Sequence, residues 1–329
     1  MGENKTNKTL ITGAAGFIGS HLAEKCVELE YNVKAFVRYN SKNDWGWLEE
    51  SECKSDLEII SGDIRDFDSV YNALKGCDTV FHLAALIGIP YSYISPLAYI
   101  RTNVEGTYNV LQAARELEVQ NIIITSTSET YGTAQHVPID ENHPMRGQSP
   151  YSASKISADQ LAISYYKSFN LPIKIVRPFN TYGPRQSSRA IIPTIIIQIL
   201  NRQKKINLGN LNPTRDFIFI KDTINGFLEI YKSDKLYGEI INIGMNEEIS
   251  IGNLAKLIAN QMNEKVEICV ENKRVRPKQS EVSRLMCDNS KILSNSCWHP
   301  EYSLEKGIYE TMNWLKSNFK LYKPDIYNV

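Results

Sequence analysis

The sequence predicts an α/β protein, in which a doubly wound parallel β-sheet carries helices on both faces and is followed by a smaller α/β domain. Two observations predict this fold. Short apolar segments alternate with amphipathic ones along the first half, and a glycine-rich segment joins the first of each kind. Such alternation implies a mostly parallel sheet. We expect residues 1–180 to form the sheet domain and 181–329 mainly the second, with a return to the sheet around 216–244.

The glycine-rich segment Gly13 to Gly19 sits where a strand would turn into a helix. Gly13 permits the tight turn, Gly16 lets backbone N–H groups approach a pyrophosphate, and Gly19 allows the helix to pack closely on the strand. This context predicts a dinucleotide-binding site of the Rossmann type. The flanking elements are a strand over Lys8–Thr12, a helix over Ser20–Glu30 and a strand over Asn32–Val37.

The remaining elements of the first half continue the alternation. We predict strands over Leu57–Ile60, Thr79–Leu83, Asn121–Thr125 and Ile173–Arg177, and helices over Ser69–Leu74, Pro96–Leu117 and Tyr151–Phe169. Ligands of such sheets bind at the carboxyl ends of the strands. Beyond Asn180 a polar loop, an apolar run over Ile191–Leu200 and short charged segments indicate a smaller, less regular substrate-binding domain.

Four side chains, two just after a strand and two on a helix, predict catalysis. Tyr151 and Lys155 are four residues apart on a predicted helix, so they share one face, and the ammonium should lower the pKa of the phenol. Tyr151 can then take a proton from a hydroxyl as hydride leaves its carbon. Thr127 can donate to the forming carbonyl oxygen. Glu129 can remove a proton from the adjacent carbon, which predicts oxidation followed by elimination.

Composition excludes several other classes of protein. Lys plus Arg and Asp plus Glu both number 37, so no overall field favours nucleic acid or an anionic membrane. The six cysteines form no Cys-x-x-Cys pair and the five histidines show no ligand spacing, so we expect no metal site. The chain lacks the apolar stretch of a signal peptide and the roughly 18 apolar residues of a membrane span. We expect a cytoplasmic protein.

These motifs resemble those of the extended short-chain dehydrogenase/reductases that act on nucleotide sugars, the NAD(P)-dependent epimerases and dehydratases. The resemblance covers nearly the whole chain, and Ser126-Thr-Ser-Glu-Thr-Tyr-Gly132 is similar to the 4,6-dehydratases. Within these, Pro150-Tyr-Ser-Ala-Ser-Lys-Ile156 and Asn180-Thr-Tyr-Gly-Pro-Arg-Gln-Ser187 look closest to the legionaminic acid pathway enzymes. Those act on GDP-N-acetylglucosamine and give its 4-keto-6-deoxy form. Further matching segments are Thr12–Gly19, Gly62–Asp66, His82–Ala85, Asn103–Thr107, Arg215–Asp222 and Trp298–Pro300.

The resemblance implies a tightly bound nicotinamide cofactor that is recycled within each turnover. Arg38 ends the second strand where NAD-preferring sites usually carry an acidic residue, so it favours NADP, with NAD as the alternative. Lys155 would also bind the cofactor ribose, and Asp63 and Ile64 would contact the adenine. The implied cofactor-binding residues are Gly13, Gly16, Phe17, Ile18, Gly19, Arg38, Asp63, Ile64, Leu83, Ala84, Ala85, Asn103, Tyr151 and Lys155.

For the nucleotide-sugar substrate, the resemblance implies anchors for the diphosphate. Asn180, Arg215 and Arg276 match these anchors, and arginine suits phosphate oxygens. Arg185 and Glu281 lie in the same loops, where contact with the base or ribose and a surface ion pair both remain open. Relatives pair helices such as 96–117 and 151–169 into a four-helix bundle, which implies a homodimer.

The residue at position 128 leaves open which reaction the protein catalyses. Several dehydratases carry Asp between the Thr and the Glu, as the acid that protonates the departing hydroxyl, whereas this chain has Ser128 there, within the expected substrate site. GDP-mannose dehydratases and UDP-glucuronate decarboxylases both share Thr-Ser-Glu. A decarboxylase needs a cation for the substrate carboxylate, and Leu86–Ser92, where we expect the sugar pocket, offers none. A 4-epimerase would not need Glu129, and a non-catalytic cofactor-binding protein would not need all four side chains.

Overall fold

The structure, a computed structural model, describes residues 8–324 and 326. Its first half alternates strands and helices as the sequence predicts. In chain order the elements are β1 (Lys8–Thr12), α1 (Phe17–Glu28), β2 (Asn32–Arg38), β3 (Leu57–Gly62), α2 (Phe67–Leu74), β4 (Thr79–His82), α3 (Ile89–Ile94), α4 (Pro96–Tyr99), a π-helical turn (Ile100–Glu105), α5 (Gly106–Glu116), β5 (Asn121–Thr125), α6 (Pro150–Phe169) and β6 (Ile173–Pro178).

Within the described residues, the second half contributes shorter strands and five helices. They are β7 (Asn180–Tyr182), α7 (Ile191–Leu200), β8 (Lys205–Leu208), β9 (Thr214–Arg215), β10 (Phe217–Phe219), α8 (Ile220–Lys232), β11 (Ile240–Ile243), β12 (Ile249–Ser250), α9 (Ile251–Gln261), β13 (Glu267–Val270), α10 (Ser290–Asn295) and α11 (Leu304–Ser317). Among the described residues, no helix has both the length and the apolar character needed to cross a membrane.

Seven parallel strands form the main sheet, in the order β11-β6-β5-β4-β1-β2-β3. The strand order reverses between β1 and β4, and a crevice opens at such a point beyond the carboxyl ends of the strands. Three two-stranded sheets, β7 with β10, β9 with β12 and β8 with β13, accompany the second half. The predicted α/β class with a doubly wound parallel sheet and smaller accompanying sheets is therefore confirmed.

Several element boundaries differ from the prediction for local reasons. Helix α1 begins at Phe17 rather than Ser20, because Gly16 is already extended and takes the N-cap position. Strand β4 ends at His82, one residue before the predicted end, and the N–H groups of Leu83 and Ala84 that follow bond to Thr12. The helix predicted over 96–117 is interrupted by a π-helical turn, which widens the helix just ahead of Gly106.

Candidate active site

A cleft of about 1010 Å³ lies at the carboxyl edge of the main sheet, between the loops of the first half and the segments that follow β7. All the sequence-predicted site residues line it except Asn103 and Arg185. Residues from β1, β2, β3, β4, β5 and α6 meet there because parallel strands all end on the same edge. A large concave site with converging polar groups is the expected form of a ligand-binding site.

The glycine turn after β1 forms one wall of the cleft. Gly13 has φ +71°, and a Cβ at this position would lie 2.8 Å from the backbone nitrogen of Ala84. A Cβ on Gly19 would lie 2.2 Å from the Gly13 carbonyl oxygen. Helix α1 starts here without a side-chain cap, so its first N–H groups face the cleft with the positive end of the helix dipole. This cradle fits the pyrophosphate of a dinucleotide.

Three charged residues lie together at the far end of the cleft wall that the glycine turn forms: Arg38, Asp63 and Arg65. The Asp63 carboxylate accepts hydrogen bonds from the Arg65 guanidinium, one of them 2.9 Å from Nε. These bonds hold the pKa of Asp63 below its ordinary value, and the charge of Arg38 adds to the effect. Arg38 ends β2 beside Gly62 and lies exposed at the cleft. The carboxylate is thus flanked by two guanidinium groups.

His82 holds the end of β4 in place and lies outside the cleft lining. Thr12 Oγ1 accepts from the N–H groups of Leu83 and Ala84, so its own hydrogen points to His82 Nδ1 at 2.8 Å. Thr107 Oγ1 donates to the Asn103 carbonyl and therefore receives the Nε2–H at 3.0 Å. Burial lowers the pKa of His82 to about 3. His82 is therefore a neutral residue that holds the strand end in place.

Asn103 is buried behind the cleft. Its amide oxygen accepts from the Leu86 N–H at 2.8 Å, and its amide nitrogen donates to the Leu86 carbonyl at 2.9 Å and to Ser154 Oγ at 2.9 Å. All of its polar atoms are therefore committed to the chain. Asn103 fixes the loop after β4 against α6, and the structure gives it no direct place in the cleft.

The turn after β5 brings Thr127 and Glu129 to the cleft. Thr127 is extended and caps a 3₁₀ turn, its hydroxyl accepting from the Glu129 N–H at 3.3 Å. Ser128 between them is buried, while Glu129 is half-buried. The strand-end position and the cap together place both side chains on the cleft side of the turn.

Tyr151 and Lys155 lie in the first two turns of α6, opposite the 3₁₀ turn that carries Thr127 and Glu129. Burial raises the pKa of Tyr151 well above its ordinary value, a hydrogen bond with the Thr127 side chain opposes this, and the charge of Glu129 adds to it. Lys155 Nζ instead donates to the Thr125 carbonyl at 2.6 Å, and burial lowers its own pKa. The sequence led us to expect a lowered pKa for Tyr151, whereas burial raises it in this structure and Lys155 is turned towards the Thr125 carbonyl.

Two arginines and one carboxylate form the other end of the cleft. Arg215 Nη2 and Arg276 Nη1 lie 3.5 Å and 3.7 Å from Glu281 Oε1, which leaves the cluster with a net positive charge. Burial lowers the pKa of Arg215, while Glu129 is close enough for its charge to act in the opposite direction. Arg276 Nη1 is buried and makes no hydrogen bond to the described residues. Asn180 is held beside this cluster by the Asp216 carbonyl.

Arg185 is not part of this cluster. Its guanidinium makes two 2.9 Å hydrogen bonds to the Glu24 carboxylate and one of 3.1 Å to Ser20 Oγ on α1. Of the two interpretations left open by the sequence, the structure shows an ion pair. Arg185 therefore fastens the loop after β7 to the first helix.

The structure also brings a residue to the cleft that the sequence did not single out. Arg189, in the same loop, lies against Gly88 within the apolar segment Leu86–Ser92. The segment Leu86–Ser92 itself contains no cation, but the structure places Arg189, from a distant part of the chain, beside it. In the sequence, Arg189 is visible only as a second arginine in this loop. Nothing in the sequence indicates where its side chain points.

The family model described as GDP-mannose 4,6-dehydratase matches residues 10–311. The chain is 32% identical over 315 residues to a putative UDP-glucose 4-epimerase of Methanocaldococcus jannaschii, covering 94% of this chain and 98% of that protein. It is 31% identical over 326 residues to the human dTDP-D-glucose 4,6-dehydratase, covering 96% and 92%. A UDP-N-acetyl-α-D-glucosaminuronate decarboxylase of Bacillus cytotoxicus is 32% identical over 320 residues, covering 94% and 98%.

A solved structure shows the same architecture. DesIV, the dTDP-glucose 4,6-dehydratase of Streptomyces venezuelae with NAD and TYD bound, superimposes with a TM-score of 0.86 at 27% identity, covering 96% of this chain and 99% of DesIV. Relatives of similar identity thus carry the names of three different reactions. The shared scaffold alone does not choose among them.

Proposed function

We propose that this chain, which belongs to the GDP-mannose 4,6-dehydratase family of NAD-dependent nucleotide-sugar epimerases and dehydratases, is a nucleotide-sugar 4,6-dehydratase. The observation that carries the proposal is the place of Glu129. Its carboxylate shares one cleft with Thr127 and Tyr151, close enough to act on the pKa of Tyr151. An epimerase needs no base beside the carbon next to the ketone.

Each side chain has a defined proton to move. Tyr151 takes the proton of the sugar 4-hydroxyl, and Thr127 donates to the oxygen as it becomes a carbonyl. Glu129 removes the proton from C5, which the neighbouring ketone has made acidic, and passes a proton to the departing 6-hydroxyl so that water leaves. When bound, the nicotinamide cofactor supplies the hydride chemistry, which is acceptance from C4 and return to C6. A proton returned to C5 completes the 4-keto-6-deoxy sugar.

For the cofactor we propose NADP, held along the glycine turn. The cradle between Gly13 and Gly19 accommodates a pyrophosphate, and Arg38 supplies a cation where a 2′-phosphate would lie. The relative DesIV has NAD in its structure, so NAD is the alternative. The positive charge of an oxidised nicotinamide would also favour the Tyr151 phenolate, which Lys155 does not favour enough by itself.

For the substrate we propose GDP-N-acetylglucosamine. Support comes from the resemblance of the segments around Tyr151 and Asn180 to those of the legionaminic acid pathway dehydratases. The positively charged cluster of Arg215 and Arg276 suits a nucleotide diphosphate. We further propose that the chain forms a homodimer through α4, the π-helical turn, α5 and α6, where large apolar side chains are exposed: Leu97, Ile100, Tyr108 and Phe169.

A second candidate is a nucleotide-sugar uronate decarboxylase. Arg189 favours it, because a guanidinium in the sugar pocket can hold a carboxylate. The two reactions differ in the small molecule that is lost and in the fate of the C5 proton, so one experiment separates them.

The decisive experiment is mass spectrometry of products from a panel of sugar nucleotides incubated with the protein in D₂O. The panel holds the GDP and UDP forms of N-acetylglucosamine, with UDP-glucose, GDP-mannose and UDP-glucuronate. We expect loss of one water from GDP-N-acetylglucosamine with deuterium at C5. Glu129→Gln should still reduce the cofactor, seen as nicotinamide absorbance, yet release no water. Loss of carbon dioxide, or an unchanged mass with an inverted C4 centre, would contradict the dehydratase.

A further inference from the structure

Arg189 is a cation in the sugar part of the cleft that the proposed reaction does not use. A Cβ built on Gly88 would lie 3.1 Å from Arg189 Nη1, 3.6 Å from the Tyr99 hydroxyl and 3.7 Å from Tyr91 Cβ. The Tyr99 ring lies 6.2 Å, centroid to centroid, from the ring of Tyr151. Through Gly88 and Tyr99, Arg189 therefore lies near Tyr151 in the cleft.

The Arg189 guanidinium makes few polar contacts with the described residues. Its Nε donates to Ser187 Oγ at 3.2 Å, in its own loop. Within residues 8–324 and 326, Arg189 has no carboxylate partner, whereas Arg185 pairs with Glu24 and Arg215 with Glu281. Its Nη atoms are thus available to a ligand in the cleft.

Gly88 supports the same conclusion independently. It has φ −70° and ψ 104°, which any residue adopts, so its backbone does not require glycine. What a side chain would alter is the space beside Arg189 Nη1. The absence of a Cβ at position 88 leaves that space open.

The surroundings of the guanidinium are apolar. Ile87, Pro90 and Tyr91 line the cleft next to Gly88, and Ile87 and Tyr91 remain exposed there. A carboxylate would pair with the exposed Arg189 guanidinium but would offer no apolar group to Ile87, Pro90 and Tyr91. An acylamino group carries one strong acceptor oxygen and one methyl group, which matches a guanidinium beside apolar side chains.

We propose that Arg189 binds the carbonyl oxygen of an acylamino substituent on the sugar and so selects N-acetylhexosamine nucleotides. The inference rests on the proposed function only in taking a nucleotide sugar as the ligand. Gly88 provides the room for the contact, and Ile87 and Tyr91 face the methyl group.

Calorimetric binding tests this without requiring turnover. The probes are GDP-N-acetylglucosamine and GDP-glucose, or the UDP pair if the wild type binds only those. We expect Arg189→Met to weaken binding of the acetamido sugar about 10- to 100-fold, the range of one charged hydrogen bond, and to change binding of the plain sugar less than about threefold. Gly88→Ala should shift the same ratio in the same direction, because its methyl group crowds Nη1. Arg202→Met, an exposed arginine outside the cleft, is the control.

The other outcomes overturn the inference in distinct ways. Equal weakening of both sugars would assign Arg189 to the diphosphate. Weakening confined to UDP-glucuronate would assign it to a carboxylate and favour the decarboxylase. No change with any probe would leave Arg189 without a ligand. If the wild type binds acetamido sugars selectively through Arg189 but releases no water from them, the proposed reaction fails while the binding assignment stands.

Discussion

At the scale of single residues, burial and the negative charge of Glu129 both raise the pKa of Tyr151, and the hydrogen bond with Thr127 opposes them. A lysine one helical turn away is a reason to expect an acidic phenol, yet Lys155 is itself desolvated and donates to the Thr125 carbonyl. The net effect is a raised pKa for Tyr151. The spacing of two residues along a helix indicates that they share a face, but the solvation of that face decides the sign of the shift.

Arg38 carries the first prediction at this scale. Arg38→Asp should reverse the cofactor preference, since a carboxylate accepts the ribose 2′-hydroxyl of NAD and repels a 2′-phosphate. We expect NADP affinity to fall by about 10-fold or more and NAD affinity to hold or rise. Fluorescence titration of the protein with each cofactor measures this. Arg65→Asp on the neighbouring loop is the comparison, because Arg65 is already paired with Asp63. An unchanged ratio in Arg38→Asp would show that Arg38 does not contact the ribose.

The second prediction at this scale concerns His82 and is that the stability of the protein depends on pH. Burial lowers the pKa of His82 to about 3, and burial also lowers the pKa of His21 to about 4. Both side chains regain an ordinary pKa near 6.5 on unfolding, so the unfolded state binds more protons in acid. Their contribution to stability is therefore present above about pH 6.5 and is lost as the pH falls towards 3 to 4.

The measurement is the midpoint of thermal unfolding between about pH 8 and pH 5. We expect the wild type to lose stability across this range and His82→Gln, although less stable overall, to lose less. His299→Gln serves as control because His299 is exposed. An identical pH profile for wild type and His82→Gln would contradict the depressed pKa of His82.

At the scale of elements, α6 links the cleft to the core. Tyr151, Lys155 and Asp159 follow one another at four-residue intervals on its buried face. The Asp159 carboxylate pairs with Arg177 of β6 at 2.7 Å, with both side chains fully buried, and accepts from Ser126 Oγ at 2.7 Å. The ion pair therefore fixes the helix against β6 and against the turn that carries Thr127.

Asp159 gives the element-scale prediction. Asp159→Asn should lower the free energy of unfolding by about 3–5 kcal/mol, because it leaves the Arg177 charge buried without its partner. Urea denaturation measures the change. The double variant Asp159→Leu/Arg177→Met should recover much of the loss, since neither charge is then buried alone. A loss below about 1 kcal/mol in the single variant would mean that water reaches this pair.

Gln148 connects further elements around the site. Its side-chain amide donates to the Gln279 carbonyl at 3.0 Å, and its backbone carbonyl accepts from Ser280 Oγ at 2.6 Å. Ser280 Oγ also meets the Tyr93 hydroxyl at 2.6 Å. The segment that carries Arg276 and Glu281 is thereby held to the residues just ahead of α6. The two ends of the cleft are positioned relative to each other by polar contacts of exposed and half-buried residues.

At the scale of the whole molecule, the last prediction concerns the exposed apolar side chains of α4, the π-helical turn, α5 and α6. Tyr108 is 44% exposed and Ile100 54% exposed, which is more apolar exposure than such helices usually leave to solvent. Ile100→Glu/Tyr108→Glu should convert the proposed dimer to a monomer, because burying two carboxylates costs more than the interface gains. Light scattering after size exclusion measures the mass. Leu293→Glu, an exposed apolar residue on α10, is the control. A double variant that keeps the wild-type mass would place any interface elsewhere.

The sequence alone determined the architecture and the pieces of the cleft that follow strand ends. Alternating apolar segments specify strands and helices locally, and the parallel order brings the ends of β1, β2, β3, β4 and β5 to one edge without further information. For this reason the glycine turn, Arg38, Asp63, Thr127 and Glu129 were all predictable as neighbours of one cleft.

The tertiary structure alone decided which partner each charged side chain takes. Arg185 and Arg189 stand four residues apart in one loop, yet the first pairs with Glu24 on α1 and the second lies beside Gly88 in the cleft. Likewise, the sign of the Tyr151 pKa shift depends on its burial. Periodicity reports which face of an element is apolar. It carries no information on which distant loop lies over that face, and electrostatic energies depend on such distances and on the water they exclude.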